Sequence, residues 1–313
     1  MLFIEMLKDI KWSIINLWHN KYYHYTEAQF KSELEKWYEK NLGERLDLDA
    51  PRSFNEKIQW LKLYDSTHLK ALLSDKLECR KWIADTIGEE YLIPLIGEYS
   101  SFEDINIDEL PNAFVLKTNH ASSTNIIVKD KKLLNKREAS MKFSRWLSSN
   151  YGFNKGFELH YGMIHPRIVC EKYMGDSLND YKFFCFNGNP EFIWVDVGRY
   201  TNHCRNTYDL EWKELPFIID RFKRVNVEQP KNLRLMIELA GRLSKGFAFV
   251  RVDFYEIEGI VYFGEMTFTS SSGRDKFYPS EYDLICGEKI MLPAKKKIPI
   301  DEIRGVWKNN RRN

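Results

Sequence analysis

The sequence predicts an α+β protein, with helices gathered at its start and antiparallel strands toward its end. Three observations carry this. Residues 1–73 read as helical, rich in Glu, Lys, Leu and Trp and broken at Ala50-Pro51-Arg52-Ser53. After Gly162, short apolar and aromatic runs are separated by turn signals such as Asn187-Gly188. Near the end, the runs Arg251 to Tyr255 and Tyr262 to Thr267 flank Glu258-Gly259, a hairpin signature. The order of a helical cap, a mixed lobe and then a lobe built on antiparallel strands points to α+β.

Taken in order, the opening stretch places Phe3, Leu7, Ile10, Ile14 and Leu17 at helical spacing, with Trp12 and Trp18 nearby. Such a stripe fits either a membrane surface or, the reading we favour, packing within the protein. Ser53 followed by Glu56 is a capping-box pattern opening a helix through Ile58, Leu61 and Leu63. Ser74 or Asp75 caps a further helix expected from Lys76 to about Ile87, ended by Gly88. Strands are expected at Tyr91 to Ile96, Phe114 to Thr118 and Ile126 to Val128, then a helix over 136–150. The later strands are Ile168 to Tyr173, Tyr181 to Phe186 and Phe192 to Val197, with a helix at about 231–245 before the final hairpin. Three regions follow: 1–73 helical, 74–173 a mixed lobe, and 174–313 a lobe built on antiparallel strands.

The chain has 313 residues, enough for a substantial core, with 43% hydrophobic and 29% charged residues, as in ordinary globular proteins. A net charge of +2 is too small to argue for a nucleic-acid partner, and Lys295-Lys296-Lys297 and Arg311-Arg312 read as solvated surface. Five cysteines without metal-type spacing suggest reduced thiols in a cytoplasmic compartment. The sequence contains neither a bilayer-spanning run nor a signal-peptide pattern at its start, which argues against secretion.

Side chains alternate along a strand, so Arg251 and Asp253 share one face, as do Glu265 and Thr267 on the partner. With Glu258 to Ile260 as a three-residue loop, Asp253 lies opposite Glu265; a two-residue turn would send the carboxylates to opposite faces. Paired carboxylates without Cys or His nearby suit Mg²⁺, which is typically held by one or two carboxylates plus substrate phosphates. Arg251 suits a phosphate oxygen. An amphipathic hairpin with a charged outer face is the alternative.

Phe114 to Lys117 is a hydrophobic strand running into Thr118-Asn119-His120-Ala121-Ser122-Ser123-Thr124-Asn125. Small hydroxylated residues, including Ser122 and Ser123, can close over phosphates while the lysine supplies a point charge. A polar hairpin loop with a snorkelling lysine is the alternative. In Glu171-Lys172-Tyr173-Met174 the strand edge can present backbone groups to a purine while Tyr173 and Met174 pack on its faces; a strand that simply leaves the core is the alternative.

In their order along the chain, Lys76, Lys117, Glu171 to Met174, Asp180 with Lys182, Arg251 with Asp253, and Glu265 resemble the ATP-grasp superfamily, in which two α+β lobes clasp ATP. The phrases SFNEKIQWLKLYD at 53–65, LPNAFVLKTNH at 110–120, DYKFFCFNGNP at 180–190 and FGEMTFTSSSG at 263–273 look like its TupA-like, teichuronopeptide-biosynthesis branch. The resemblance implies that Lys76 and Lys117 hold nucleotide phosphates, that Glu171, Lys172 and Met174 frame the adenine, and that Asp180 sits near the ribose. It further implies that Lys182 and Arg251 face the transferring phosphate and that Asp253 and Glu265 bind Mg²⁺. Many members carry asparagine two residues after the metal glutamate; here it is Thr267, whose hydroxyl can still coordinate. The nucleotide-fold domain that usually precedes the clasp is not evident in the helical N-terminal region.

The chemistry so implied is phosphorylation of a carboxylate by ATP and attack of an amine on the acylphosphate. The branch further implies surface-polysaccharide assembly, with an amino acid or peptide joined to a uronic-acid sugar. His120 is the nearest proton handler, or else a hydrogen-bonding loop residue. The segment Arg199 to Arg205 is a candidate carboxylate clamp, or else a solvated loop. A polysaccharide glycosyltransferase, a sugar kinase using the same clasp, and a non-catalytic nucleotide-binding module are the competing readings.

Overall fold

The computed structural model describes residues 2–176, 178–198, 202–220 and 222–309, with side chains from residue 10 to residue 308 of these. The first part is helical: α1 (Leu2–His19), α2 (Glu27–Leu42), α3 (Phe54–Tyr64), α4 (His68–Ser74) and α5 (Cys79–Ile87). Ser53 and Glu56 form the expected capping box at the start of α3. The helix expected from Lys76 starts later, at Cys79. Asp75 Oδ1 instead accepts the N–H groups of Leu77 and Glu78, a local turn that competes with the helix.

The α1 stripe departs from the reading we favoured. Ile10, Ile14, Leu17 and Trp18 are 51%, 61%, 68% and 54% exposed, so these side chains are not core, and Trp18 keeps an edge contact with the Tyr22 ring, 5.5 Å between centroids; the side chains of Phe3 and Leu7 lie outside the described residues. Among the described residues, no helix is long and apolar enough to cross a membrane.

A four-stranded antiparallel sheet contains β1 (Leu95–Tyr99), β2 (Phe114–Thr118), β3 (Asn125–Val128) and, beyond α6 (Lys136–Leu147), β4 (Ile168–Lys172), in the order β1-β4-β2-β3. The strand expected at Tyr91 begins instead at Leu95, after Pro94, which has no N–H to give a ladder. A five-stranded antiparallel sheet is made from β5 (Asp180–Phe186), β6 (Asn189–Val197), β7 (Cys204–Tyr208), β9 (Phe249–Ile257) and β10 (Ile260–Thr267), ordered β10-β9-β5-β6-β7. The short β8 (Ile218–Ile219) pairs with β11 (Phe277–Tyr278). Helices α7 (Leu233–Ser244), α8 (Glu281–Glu288) and α9 (Ile300–Asn309) complete the chain.

The period-2 pattern of the five-stranded sheet decides what each face does. Phe183, Cys185, Val250, Val252 and Phe254 face Met236, Leu239 and Leu243 of α7 in one core. Each such side chain, fully buried, contributes on the order of 1.5–3 kcal/mol. The opposite face has two halves. Phe184, Phe186, Phe192 and Phe249 pack against Phe54 of α3, with Phe54 and Phe249 ring centroids 5.0 Å apart. The other half carries Asp180, Lys182, Arg251, Asp253 and Glu265. Helix α3 therefore covers one end of the functional face and leaves the other open.

The β9–β10 hairpin corrects the loop count. Ile257 pairs with Ile260, so the turn has two residues, Glu258 and Gly259, both left-handed at φ 52° and 78°. In unbroken register that turn would separate the carboxylates. A bulge between Phe263 and Glu265 restores the pairing, and Glu265 lies opposite Asp253. The residue it passes over, Gly264, has backbone close enough to Asp253 that a Cβ there would lie 3.1 Å from the Asp253 carbonyl oxygen.

Candidate active site

Lys182 of β5 pairs across the sheet with Asp253 of β9, and Asp253 with Glu265 of β10, so three charged side chains lie in one row. Arg251 stands two residues along on the same face. Its Nε donates to Asp253 Oδ1 at 2.7 Å, and its Nη2 donates to Asp253 Oδ2 at 2.7 Å, Glu265 Oε1 at 3.0 Å and Thr267 Oγ1 at 3.1 Å. The two carboxylates thus converge on one cationic group. Burial lowers the Arg251 pKa, but Asp253 and Glu265 outweigh it and leave the pKa above the ordinary value. Lys182 Nζ donates to Asp253 Oδ2 at 2.8 Å and lies 3.3 Å from Asp180 Oδ2.

The four-stranded sheet supplies the facing wall. Lys117 Nζ pairs with Glu171 Oε2 at 2.5 Å, a diagonal contact between β2 and β4 that their antiparallel register allows. Arg80 of α5 approaches the other Glu171 oxygen at 3.7 Å. Lys76 Nζ donates to the Ala121 carbonyl oxygen at 2.7 Å, tying the turn before α5 to the serine loop. Burial draws the Lys76 pKa below its ordinary value, with the Glu265 charge opposing. Ser122 and Ser123 are exposed, and Ser123 has a left-handed φ of 62°.

Between the walls lies a cleft of about 400 Å³, a volume suited to a small-molecule ligand. It is bordered at one end by Lys172, Tyr173, Met174 and Asp180 and at the other by Lys76, Lys117, the 121–124 loop, Asp253 and Glu265. Arg80 and Tyr161 line a recess beside Lys76 and Lys117 and were missed from sequence. No local signal marks Arg80, whose place depends on how α5 meets β4. The metal donors expected on the β9–β10 pair are the oxygens of Asp253 and Glu265, with Thr267 Oγ1 3.2 Å from Glu265 Oε1. Among the described residues, no group of three or more His, Cys, Asp or Glu side chains could hold a metal ion. A pair of convergent carboxylates fits Mg²⁺ arriving with phosphates better than a metal caged by protein alone.

Two candidates stand elsewhere. His120 is corrected: it is 0% exposed, with Nε2 3.3 Å from the Ser149 carbonyl oxygen, and faces Trp307, not the cleft. Arg205 is also already engaged. It lies 3.3 Å over the Trp194 ring, donates from Nε to Asp196 at 2.7 Å and from Nη1 to Asp220 at 3.1 Å, and has no clamp left to offer. Arg199, Tyr200 and Thr201 of that segment, like Arg311 and Arg312, lie outside the described residues.

The buried histidines carry a pH prediction. Burial, with the nearby Lys76 charge adding, lowers the His120 pKa to about 4, and burial lowers that of His160 to about 3. Both are below the unfolded value of about 6.5, so the unfolded chain binds more protons in acid. Their contribution is fully present above about pH 6.5 and is lost as pH falls toward 4, on the order of 3 kcal/mol for His120 alone. Melting temperatures should therefore hold level from pH 8 to 7 and drop steadily below 6.5. A melting temperature unchanged down to pH 5 would contradict these assignments.

A family described as TupA-like ATPgrasp matches residues 56–291. Among solved structures, similarity extends to D-alanine–D-alanine ligase from Bacillus anthracis complexed with ATP, at 19% identity and TM-score 0.40 over 77% of this chain and 66% of that one. L-amino acid ligase from Bacillus licheniformis matches at 15% identity and TM-score 0.39, over 67% of this chain and 45% of that one. Biotin carboxylase from Campylobacter jejuni matches at 15% and 0.40, over 74% and 50%. The chain thus spans two thirds or less of the length of these three structures. No curated protein matches it in sequence.

Proposed function

The chain belongs to the TupA-like ATP-grasp family, and from that premise we propose that it is an ATP-dependent ligase joining a carboxylate to an amine through an acylphosphate. The observation that carries the reading is the convergence of Asp253 and Glu265 on Arg251, at the edge of a cleft whose far wall presents Lys76 and Lys117. In this reading Lys76, Lys117 and the Ser122-Ser123 loop bind the phosphates, while Lys172, Tyr173 and Met174 border the base and Asp180 the ribose. Asp253 and Glu265, with Thr267 beside them, would hold Mg²⁺, which when bound neutralises phosphate charge and aligns the terminal phosphate. Lys182 and Arg251 stabilise the charge that develops as the phosphoryl group moves. Such chemistry depends on alignment and charge neutralisation more than on a dedicated base, so the withdrawal of His120 from the cleft costs it nothing.

We further propose, on the strength of the branch resemblance, that the carboxylate is that of a uronic-acid sugar and the amine that of an amino acid or peptide, in the assembly of a surface polysaccharide. ADP release, measured against paired carboxylates and amines, tests the reaction class. The expected result is release that requires both partners, with an amide as product. Release requiring only a sugar hydroxyl, with a phosphorylated sugar as product, would make the protein a kinase instead.

A further inference from the structure

We propose that α3 positions the arm of β10 that bears Glu265 and Thr267, acting through a buried polar stripe of Asn55, Gln59 and Lys62; this rests on the metal-nucleotide reading of the site. The three residues fall at i, i+4 and i+7 on one face of α3, where a polar stripe ordinarily meets water. Here they are 3%, 0% and 0% exposed. What they meet is the backbone just beyond β10. Asn55 Nδ2 donates to the Asp275 carbonyl oxygen at 2.7 Å, and the Asp275 N–H returns a bond to Asn55 Oδ1 at 2.9 Å. Gln59 Nε2 donates to the carbonyl oxygens of Ser272 at 3.1 Å and Gly273 at 2.7 Å.

Lys62 completes the arrangement. Its ammonium donates to Gln59 Oε1 at 2.8 Å, the Lys155 carbonyl oxygen at 2.9 Å, and Ser272 O and Oγ at 3.2 and 3.0 Å. Two of those acceptors belong to unusual backbone. Lys155, Gly156 and Phe157 are left-handed in succession at φ 47°, 70° and 68°, and so are Ser271, Ser272 and Gly273 at 44°, 59° and 67°. Left-handed backbone costs a non-glycine residue on the order of 1–2 kcal/mol, and such runs persist only where their surroundings over-determine them. Lys62 is the cation on which both runs turn their carbonyl groups. Gly273 is fixed as glycine by the same contact, since a Cβ there would lie 2.2 Å from Gln59 Nε2.

The device leads directly to the site. The first left-handed run is followed by Glu158, which is 5% exposed and accepts a hydrogen bond from Thr269 Oγ1. Thr269 stands two residues beyond Thr267, whose hydroxyl meets both Glu265 and Arg251. The phrases at 53–65 and 263–273 are thus the two halves of one joint. If α3 served only to fill the core, apolar side chains would do so at lower desolvation cost. Three polar ones bonded to the backbone at Lys155 and at 272–275 specify where those loops go.

The test uses the full chain, with Lys62→Met and the milder Gln59→Glu, which keeps an acceptor for Lys62 and loses the donor to the loop. Binding of a non-hydrolysable ATP analogue is titrated calorimetrically at 10 °C across Mg²⁺ concentrations, beside thermal melts. In both variants the Mg²⁺ needed for half-maximal enhancement of binding is expected to rise about tenfold, while metal-free analogue affinity stays within about twofold of wild type. Variants that melt earlier yet keep the wild-type Mg²⁺ requirement would overturn the positioning role and leave the ATP reading intact. A wild-type chain whose analogue binding ignores Mg²⁺ would overturn both.

Discussion

Asp253→Asn is expected to lower turnover by at least about 10³-fold, the largest single loss in the site, because one carboxylate serves both charge balance and metal binding. Asp253 is 2% exposed, on the central strand pairing of the sheet, and accepts from Lys182 Nζ at 2.8 Å and twice from Arg251 at 2.7 Å. Asparagine preserves the shape but leaves two buried cations facing a neutral amide. Removing one partner of a buried pair costs on the order of 3–5 kcal/mol, so the variant should also melt several degrees earlier. Its folding is checked independently by metal-free nucleotide affinity, which should persist because Lys76 and Lys117 are untouched. Turnover within about tenfold of wild type would refute the role given to Asp253.

Arg251→Met should move two properties in opposite directions. In the nucleotide-free chain the guanidinium lies where Asp253 and Glu265 converge, and it competes with any divalent ion for their oxygens. Without it, Mn²⁺ or Mg²⁺ affinity in the absence of nucleotide should rise about tenfold or more, a gain of about 1.4 kcal/mol per decade. Turnover should fall by about 10²–10³-fold, since a donor aimed at developing phosphate charge is gone. A side chain that merely held the sheet together would weaken metal binding and turnover alike. Electron paramagnetic resonance of free Mn²⁺ distinguishes the two outcomes.

Local rules made part of this architecture legible and tertiary packing hid the rest. The Ser53–Glu56 capping box and the Asn187-Gly188 turn follow from nearest-neighbour chemistry, and both stand where their residues place them. The facing of Asp253 and Glu265 came out as expected, but by another route: the turn is shorter by one residue and the bulge at Gly264 compensates. Gly264 was the only local sign of that bulge, and a glycine inside a strand has several other uses. Lys117 and Glu171 are 54 positions apart, and their contact depends on the register between β2 and β4, which no short-range pattern fixes. The α3 stripe carries no local mark of its burial, because a polar stripe reads as solvent-facing until its partner loop is in place. His120 misled for the opposite reason. It is adjacent to the serine loop in sequence, yet the chain turns after Thr118 and carries the ring into the core against Trp307.

The central claim is that carboxylates from two neighbouring strands hold a divalent ion on the phosphates of a bound nucleotide. Calorimetric titration of a non-hydrolysable ATP analogue into wild type and into the Asp253→Asn, Glu265→Gln double variant, each with and without Mg²⁺, tests it most directly. The account expects Mg²⁺ to tighten wild-type binding by about tenfold or more and to leave the double variant unchanged. Equal Mg²⁺ enhancement in both proteins, or none in the wild type, would contradict it.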